Sequence, residues 1–503
     1  MNGSTLFAGC RPEVAVGADG RIIATGAAAR AAAGADATVH SLRGRAYPGF
    51  GDAHLHLEWM ARSAAGVDVA GAGTRREALA RVAAFARGLD QTAWVGGRGW
   101  YNDGWSDDPS PLRRQELDDA GGGRRVLLVR KDGHSACLSS AGLAAAGLTR
   151  DSPDPAGGVI DRDDHGELTG IVREEACNVA GRAVPPPADA DLDVAVLTVL
   201  RGLAQAGLTA VHTMDSPRLF RSLQRLHRDQ RLPIRVTWNL PVEALAAAEA
   251  LGVTSGLGDL WLRLWGVKAF LDGSLGTRTA EMLDGGGVAV TSQDDVVDIV
   301  TRCAAAHLNV CLHAIGDGAV RRALDALEPA RDAWGWWRPR VEHAQCVDAV
   351  DIPRFARIGV IASMQPIHAV SDRTVADAQW PGRTASSYAW GALQRAGATL
   401  AFGSDSPVED PSPLLGIDAA TTWRSRAGWH PELALTRAAA IRAYTYGVAY
   451  AAGMEAHVGA LRRGMLCDLT VVDGPAISAT IVDGRIAWRR PHGTGTAYDD
   501  TSG

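Results

Sequence analysis

The sequence predicts an α/β protein: a (β/α)8 TIM-like barrel, a small β-sandwich domain built from both termini, and an insertion placed as a lid. Three observations carry this. Short apolar runs alternate with Ala-, Arg- and Leu-rich stretches between residues 50 and 450, the pattern of strands alternating with helices in a parallel sheet. Two hairpin-rich segments of like character stand far apart, at 13–25 and 467–488. Between them, residues 60–190 break the alternation with turn-rich segments such as GGRGWYNDGW, DDAGGG and SPDPAGG.

In chain order, EVAVGADGRIIAT reads as two short strands about the Asp19-Gly20 turn, and CDLTVVDGPAISATIVDGRIAW as its counterpart. Residues 1–48 and 451–490 are therefore expected to form one composite β-domain, and 49–450 the barrel, with the insertion at about 60–190 and a disordered tail at 491–503. Strand-like runs are Leu208–Thr213, taken as the third barrel strand, then Leu262–Phe270, Val310–His313, Val341–Gln345, Val360–Met364 and Thr399–Gly403. Asp294–Ala306 and Ala319–Ala330 are long enough for the intervening helices. The Gly-rich AGAGTR at 70–75 lacks the strand-then-helix setting of a nucleotide loop.

Composition narrows the class. A chain of 503 residues that is 46% hydrophobic and 21% charged is globular. Its formal charge of −6, from 51 basic and 57 acidic residues, argues against nucleic acid or an anionic membrane as partner. No apolar run approaches the ~20 residues of a membrane span. The start, MNGSTLFAGCRPE, lacks a basic stretch followed by an apolar core, so no signal peptide is expected. Seven scattered cysteines without a C-x-x-C fit a reduced, cytoplasmic setting. A homo-oligomer is compatible with all of this. Only two of the 51 basic residues are lysines, Lys131 and Lys268. Where arginine so dominates, a retained lysine points to a need for an amine.

The chemistry concentrates at a few strand ends. In Pro48-Gly49-Phe50-Gly51-Asp52-Ala53-His54-Leu55-His56, the histidines at i and i+2 share one face of a strand, so both imidazoles can reach one cation. His313 and His343 each close an apolar run, and Asp405 sits in Gly-Ser-Asp-Ser-Pro at the end of a late one, where a barrel places its working residues. Imidazoles with a carboxylate make a donor set suited to zinc.

These motifs, with Asp132-Gly133-His134, Gly266-Val267-Lys268 through Ser274, His313-Ala314-Ile315-Gly316-Asp317, Val341-Glu342-His343, Met364-Gln365-Pro366 and Arg463-Gly464-Met465, occur in an order that resembles the metal-dependent amidohydrolase superfamily. The likeness is to the branch of N-substituted formamide deformylases and exoenzyme regulatory proteins, amidohydrolase family 3, over roughly residues 13–490. The resemblance implies one or two divalent ions held by His54, His56, Lys268, His313, His343 and Asp405. It also implies that carbon dioxide adds to Lys268, giving a carbamate able to bridge two ions. A charged ammonium would be repelled there, and an arginine cannot be deprotonated to take its place. The competing expectation is an ion pair between Lys268 and Asp272. Lys131, beside Asp132, is expected to be incidental.

The implied reaction is hydrolysis of a C–N bond in a small-molecule amide or N-substituted formamide, with metal-bound hydroxide as nucleophile and Asp405 as general base and then acid. A cyclic amidase or deaminase would use the same parts. A catalytically silent regulatory or scaffold protein would be expected to lack ligands, and none is missing. Substrate contacts are expected from His134, Trp100 with its neighbours Tyr101 and Trp105, Arg278, Gln365 and His368, with His212 behind the metal ligands.

Overall fold

Eight parallel strands ring the interior of the molecule, whose computed structural model describes residues 3–491. They are β1 (Phe50–Leu55), β2 (Leu208–Thr213), β3 (Arg235–Pro241), β4 (Leu262–Phe270), β5 (Asn309–Ala314), β6 (Arg340–His343), β7 (Ile361–Met364) and β8 (Thr399–Phe402). Each pairs in parallel with the next, from β1 against β2 through to β7 against β8. Their residues are buried on both faces almost throughout, Phe270 at the end of β4 being exposed, as strands covered by an outer layer of helices must be. Leu208–Thr213 is the second barrel strand, not the third, because no barrel strand comes from the insertion. The third strand, RVTWNLP, escapes the sequence pattern because Thr237 and Asn239 interrupt its apolar run.

The helices fit by the usual signals. Asp189–Gln205 buries Leu192, Val196, Leu200 and Leu203, one stripe at helical spacing. Ser216 caps Pro217–Arg228 by accepting from Leu219 N, and Ser292 caps Gln293–Ala305 by accepting from Asp295 N. None of the described helices is long and apolar enough to cross a membrane.

The gap between β8 and β1 is closed by the loop that follows β8. Asp405 N donates to His54 O at 2.7 Å, and His56 N donates to Ser406 O at 2.8 Å. Gly403 makes the approach possible, since a Cβ there would stand 2.5 Å from Asp52 Oδ1 and 2.6 Å from His54 N.

The termini do meet in one seven-stranded sheet. Its central strand, Thr38–Pro48, runs parallel to Thr5–Arg11 and antiparallel to Leu469–Asp473, and turns at Gly44, φ 115°. The sheet folds over a shared core in which Phe7 and Leu42 meet Leu469 and Ile481. Arg235, first residue of β3, ties this unit to the barrel: Nε and Nη2 donate to Asp468 at 2.6 and 2.9 Å, with both side chains 2% exposed. The tail expected at 491–503 lies, after residue 491, outside the described residues.

The insertion carries its own six-stranded sheet, from Val67–Asp68 to Leu168–Glu174, and its own core around Val95, Trp100, Leu117 and Val126. Between Arg125–Arg130 and Ser135–Leu138, the turn Lys131–His134 faces the barrel mouth.

Candidate metal centre

The C-terminal ends of five barrel strands converge. β1 delivers His54 and His56, β4 Lys268, β5 His313, β6 His343, and the loop after β8 Asp405. His54, His56 and Asp405 hold ligand-capable atoms within 4.8 Å of one another. The His343 ring lies 4.7 Å from that of His54 and 4.5 Å from that of His313. His343 and Asp405 sit at φ 70° and 61°, a conformation that costs non-glycine residues and recurs at working sites.

Each imidazole is turned by a partner behind it. His54 Nδ1 donates to Glu342 Oε2 at 2.6 Å, and His343 Nδ1 donates to Gln365 Oε1 at 2.9 Å. His56 Nδ1 lies 3.4 Å from Asp215 Oδ1, and His313 Nε2 donates to Gly273 O at 3.1 Å. The opposite nitrogens are thereby aimed inward: Nε2 of His54, His56 and His343, and Nδ1 of His313. Arg340 underpins this set from the barrel interior, donating to Glu342 Oε2 at 3.1 Å and to His212 Nδ1 at 2.9 Å. His212 thus lies in the barrel interior, one residue removed from Glu342 through Arg340.

Three inward atoms, His54 Nε2, His313 Nδ1 and Lys268 Nζ, are buried without a hydrogen-bond partner. Such groups are costly unless something completes them, and a divalent cation would do so for the two imidazole nitrogens. Lys268 is 2% exposed and not paired with Asp272, whose carboxylate accepts from Ile315 N, Gly316 N and Glu281 N instead. Burial lowers the Lys268 pKa. Burial, with the Lys268 charge second, lowers His54 to about 4. His56 moves the other way: burial opposes its charging, but Asp215 and Asp405 hold it up at about 9.

Above these ligands lies a cavity of about 50 Å³. His134 and His368 line it, with His368 Nε2 3.5 Å from Asp405 Oδ2. Gln365 does not; it works behind His343. Trp100 is 2% exposed, points into the core of the insertion and donates Nε1 to Leu128 O, whereas Tyr101 lines the cavity. Trp105 is likewise buried in that core. Arg278 is exposed and outside the cavity wall. Lys131 is not incidental: it lines the cavity and pairs with Glu409 at 2.5 Å, joining insertion to barrel. Sequence reasoning passed over Glu342, Asp215 and Glu409, and also Glu174, 2.8 Å from His134 Nδ1, and Asp372, 3.6 Å from His368 Nδ1. A carboxylate directly before His343 and another two residues after Thr213 were the available signals.

A barrel with four histidines, a lysine and an aspartate at its strand ends is a metal-dependent hydrolase in class, and comparison with known proteins agrees. The chain belongs to the amidohydrolase family, whose model matches residues 40–487, and it is a hydrolase acting on C–N bonds. It is 30% identical over 475 residues to the protein YtcJ of Bacillus subtilis (strain 168), covering 88% of this chain and 89% of that one. It is 26% identical over 484 residues to the N-substituted formamide deformylase of Arthrobacter pascens, covering 90% and 88% respectively. A crystal structure of a metal-dependent hydrolase from Pyrococcus furiosus superposes with a TM-score of 0.72 at 29% identity, covering 94% of this chain and 98% of that one.

Proposed function

We propose that the protein hydrolyses the C–N bond of an N-substituted formamide or similarly small amide. The single observation that carries this is the cavity lined by His313, His343 and Asp405, beside converging ligand-capable atoms of which His54 Nε2 and His313 Nδ1 are buried without a partner. The 26% identity to the N-substituted formamide deformylase of Arthrobacter pascens favours a formamide among small amides. The same proposal assigns His54, His56, Lys268, His313, His343 and Asp405 as ligands, with zinc the ion their chemistry suits.

A divalent ion held there supplies a water acidified from pKa 15.7 toward about 7 and a Lewis acid for the carbonyl. The remaining work falls to the chain. Asp405 Oδ1 faces His54 Nε2 at 3.5 Å and His56 Nε2 at 3.3 Å, leaving Oδ2 toward the cavity and His368. Oδ2 takes the proton of the attacking water and returns it to the leaving nitrogen, which is too basic to depart unprotonated. For Lys268, the neutral amine attacks the carbon of carbon dioxide, loses one proton and becomes an anionic carbamate. Its burial without a hydrogen-bond partner supports this.

The test is a panel of N-formyl, N-acyl, cyclic-imide and aminopyrimidine compounds with zinc-loaded protein, in parent and Asp405→Asn forms. N-formyl compounds should turn over fastest, and Asp405→Asn should retain zinc while losing at least ~100-fold in kcat. Turnover confined to cyclic imides or aminopyrimidines moves the assignment to cyclic amidase or deaminase. No turnover of any member refutes the proposal.

A further inference from the structure

Glu174 occupies backbone that a glutamate rarely tolerates, φ 51° and ψ −125°. Such a conformation persists only where the surroundings enforce it. Here they do. Glu174 ends the strand Leu168–Glu174, next to a pairing in which Arg173 opposes Ser135, so it stands across from His134. Its N donates to His134 O at 2.9 Å, and its Oε2 accepts from His134 Nδ1 at 2.8 Å. The other carboxylate oxygen, Oε1, accepts from Thr279 Oγ1 at 2.6 Å and Thr277 Oγ1 at 3.3 Å, both on the barrel loop after β4. Gly273 leaves the room: a Cβ there would stand 2.5 Å from Glu174 Oε1. One carboxylate thus joins lid to barrel and fixes the rotation of a histidine whose ring lies in the cavity wall, 5.5 Å from that of His313.

With Nδ1 committed to Glu174, Nε2 is the His134 atom left for the cavity. We infer that Glu174 is a positioning residue for the reaction, acting through His134: it sets the imidazole so that Nε2 meets the substrate's reacting amide. This rests on the proposed hydrolysis for its kinetic consequence, but the orientation of His134 can be tested without it.

The experiment uses zinc-loaded protein with 15N-labelled histidine, in parent, Glu174→Gln, His134→Ala and double-variant forms. His134→Ala identifies the His134 ring signals. In the parent they should show a protonated, hydrogen-bonded Nδ1, and Glu174→Gln should abolish that signature while zinc content stays the same. On a substrate that turns over, Glu174→Gln should lower kcat about 10- to 100-fold, the range for partners that orient a working imidazole, with KM changed less than about threefold. In the His134→Ala background it should cause no further loss. Should Glu174→Gln fail to fold, Thr279→Val removes one anchor and should lower kcat by a smaller factor, again only when His134 is present. An unchanged ring signature overturns the inference, as does parental kcat in Glu174→Gln, or in Thr279→Val where Glu174→Gln does not fold. A loss that multiplies fully with that of His134→Ala assigns Glu174 to structure alone and also overturns it. If the parent turns over no compound, the proposed function fails, and the ring signature still decides this one.

Discussion

Replacing Glu342 by glutamine removes one negative charge and almost no volume from the barrel interior. Glu342 is 0% exposed and accepts from His54 Nδ1 at 2.6 Å and from Arg340 Nη2 at 3.1 Å. A hydrogen bond to a charged group contributes roughly 1.5–3 kcal/mol, and about 1.4 kcal/mol is tenfold in an equilibrium. If the His54 contact is what turns Nε2 toward the metal, Glu342→Gln should weaken zinc binding about 10- to 100-fold, in line with other groups that orient ligands. Arg340 keeps Ala53 O, Ser363 Oγ and His212 Nδ1 as acceptors, so the fold should survive. Losing a buried counter-ion should still cost up to about 3–5 kcal/mol of stability. Titration of zinc against a fluorescent chelator gives the affinity, and circular dichroism confirms the fold. A folded Glu342→Gln protein with parental zinc affinity would refute the claim that the carboxylate sets the ligand.

Two further outcomes follow from the same geometry. Lys268→Ala should lose zinc and activity, with partial recovery on adding formate or acetate, which can occupy the place of a carbamate; no response to these acids or to bicarbonate would remove the modification. Trp100→Ala should cost about 3–5 kcal/mol of stability, as for other buried tryptophans, whereas Tyr101→Ala should leave the unfolding midpoint near that of the parent and shift KM. Equal effects of the two on the midpoint would mean that the cavity wall is misassigned.

The candidate ligands are legible in the sequence because each lies at or near the end of an apolar run or sits among small residues at a strand end. His54 and His56 declare themselves by period two, and Lys268 by its rarity. Glu342, Asp215 and Glu174 escape because a lone carboxylate looks the same whether solvated or buried behind a histidine; only the fold brings Glu342 to His54, 288 positions away. Trp100 and Tyr101 show a second limit. Trp100 ends the strand Trp94–Trp100 and Tyr101 follows it, so choosing between them requires knowing which way the chain turns at the strand end. Lys131 shows a third, since its partner Glu409 lies 278 positions on.

The join between β1 and β8 runs through His54, His56, Asp405 and Ser406. The ring is therefore fastened by the same segments that would grip the ions, and architecture and chemistry share one clasp. An ion bound by His54, His56 and Asp405 would hold the first strand to the segment that follows the last. The insertion has a core of its own, yet it is tied to the same loop through Lys131 and Glu409, so a change in the insertion near Lys131 reaches the join as well.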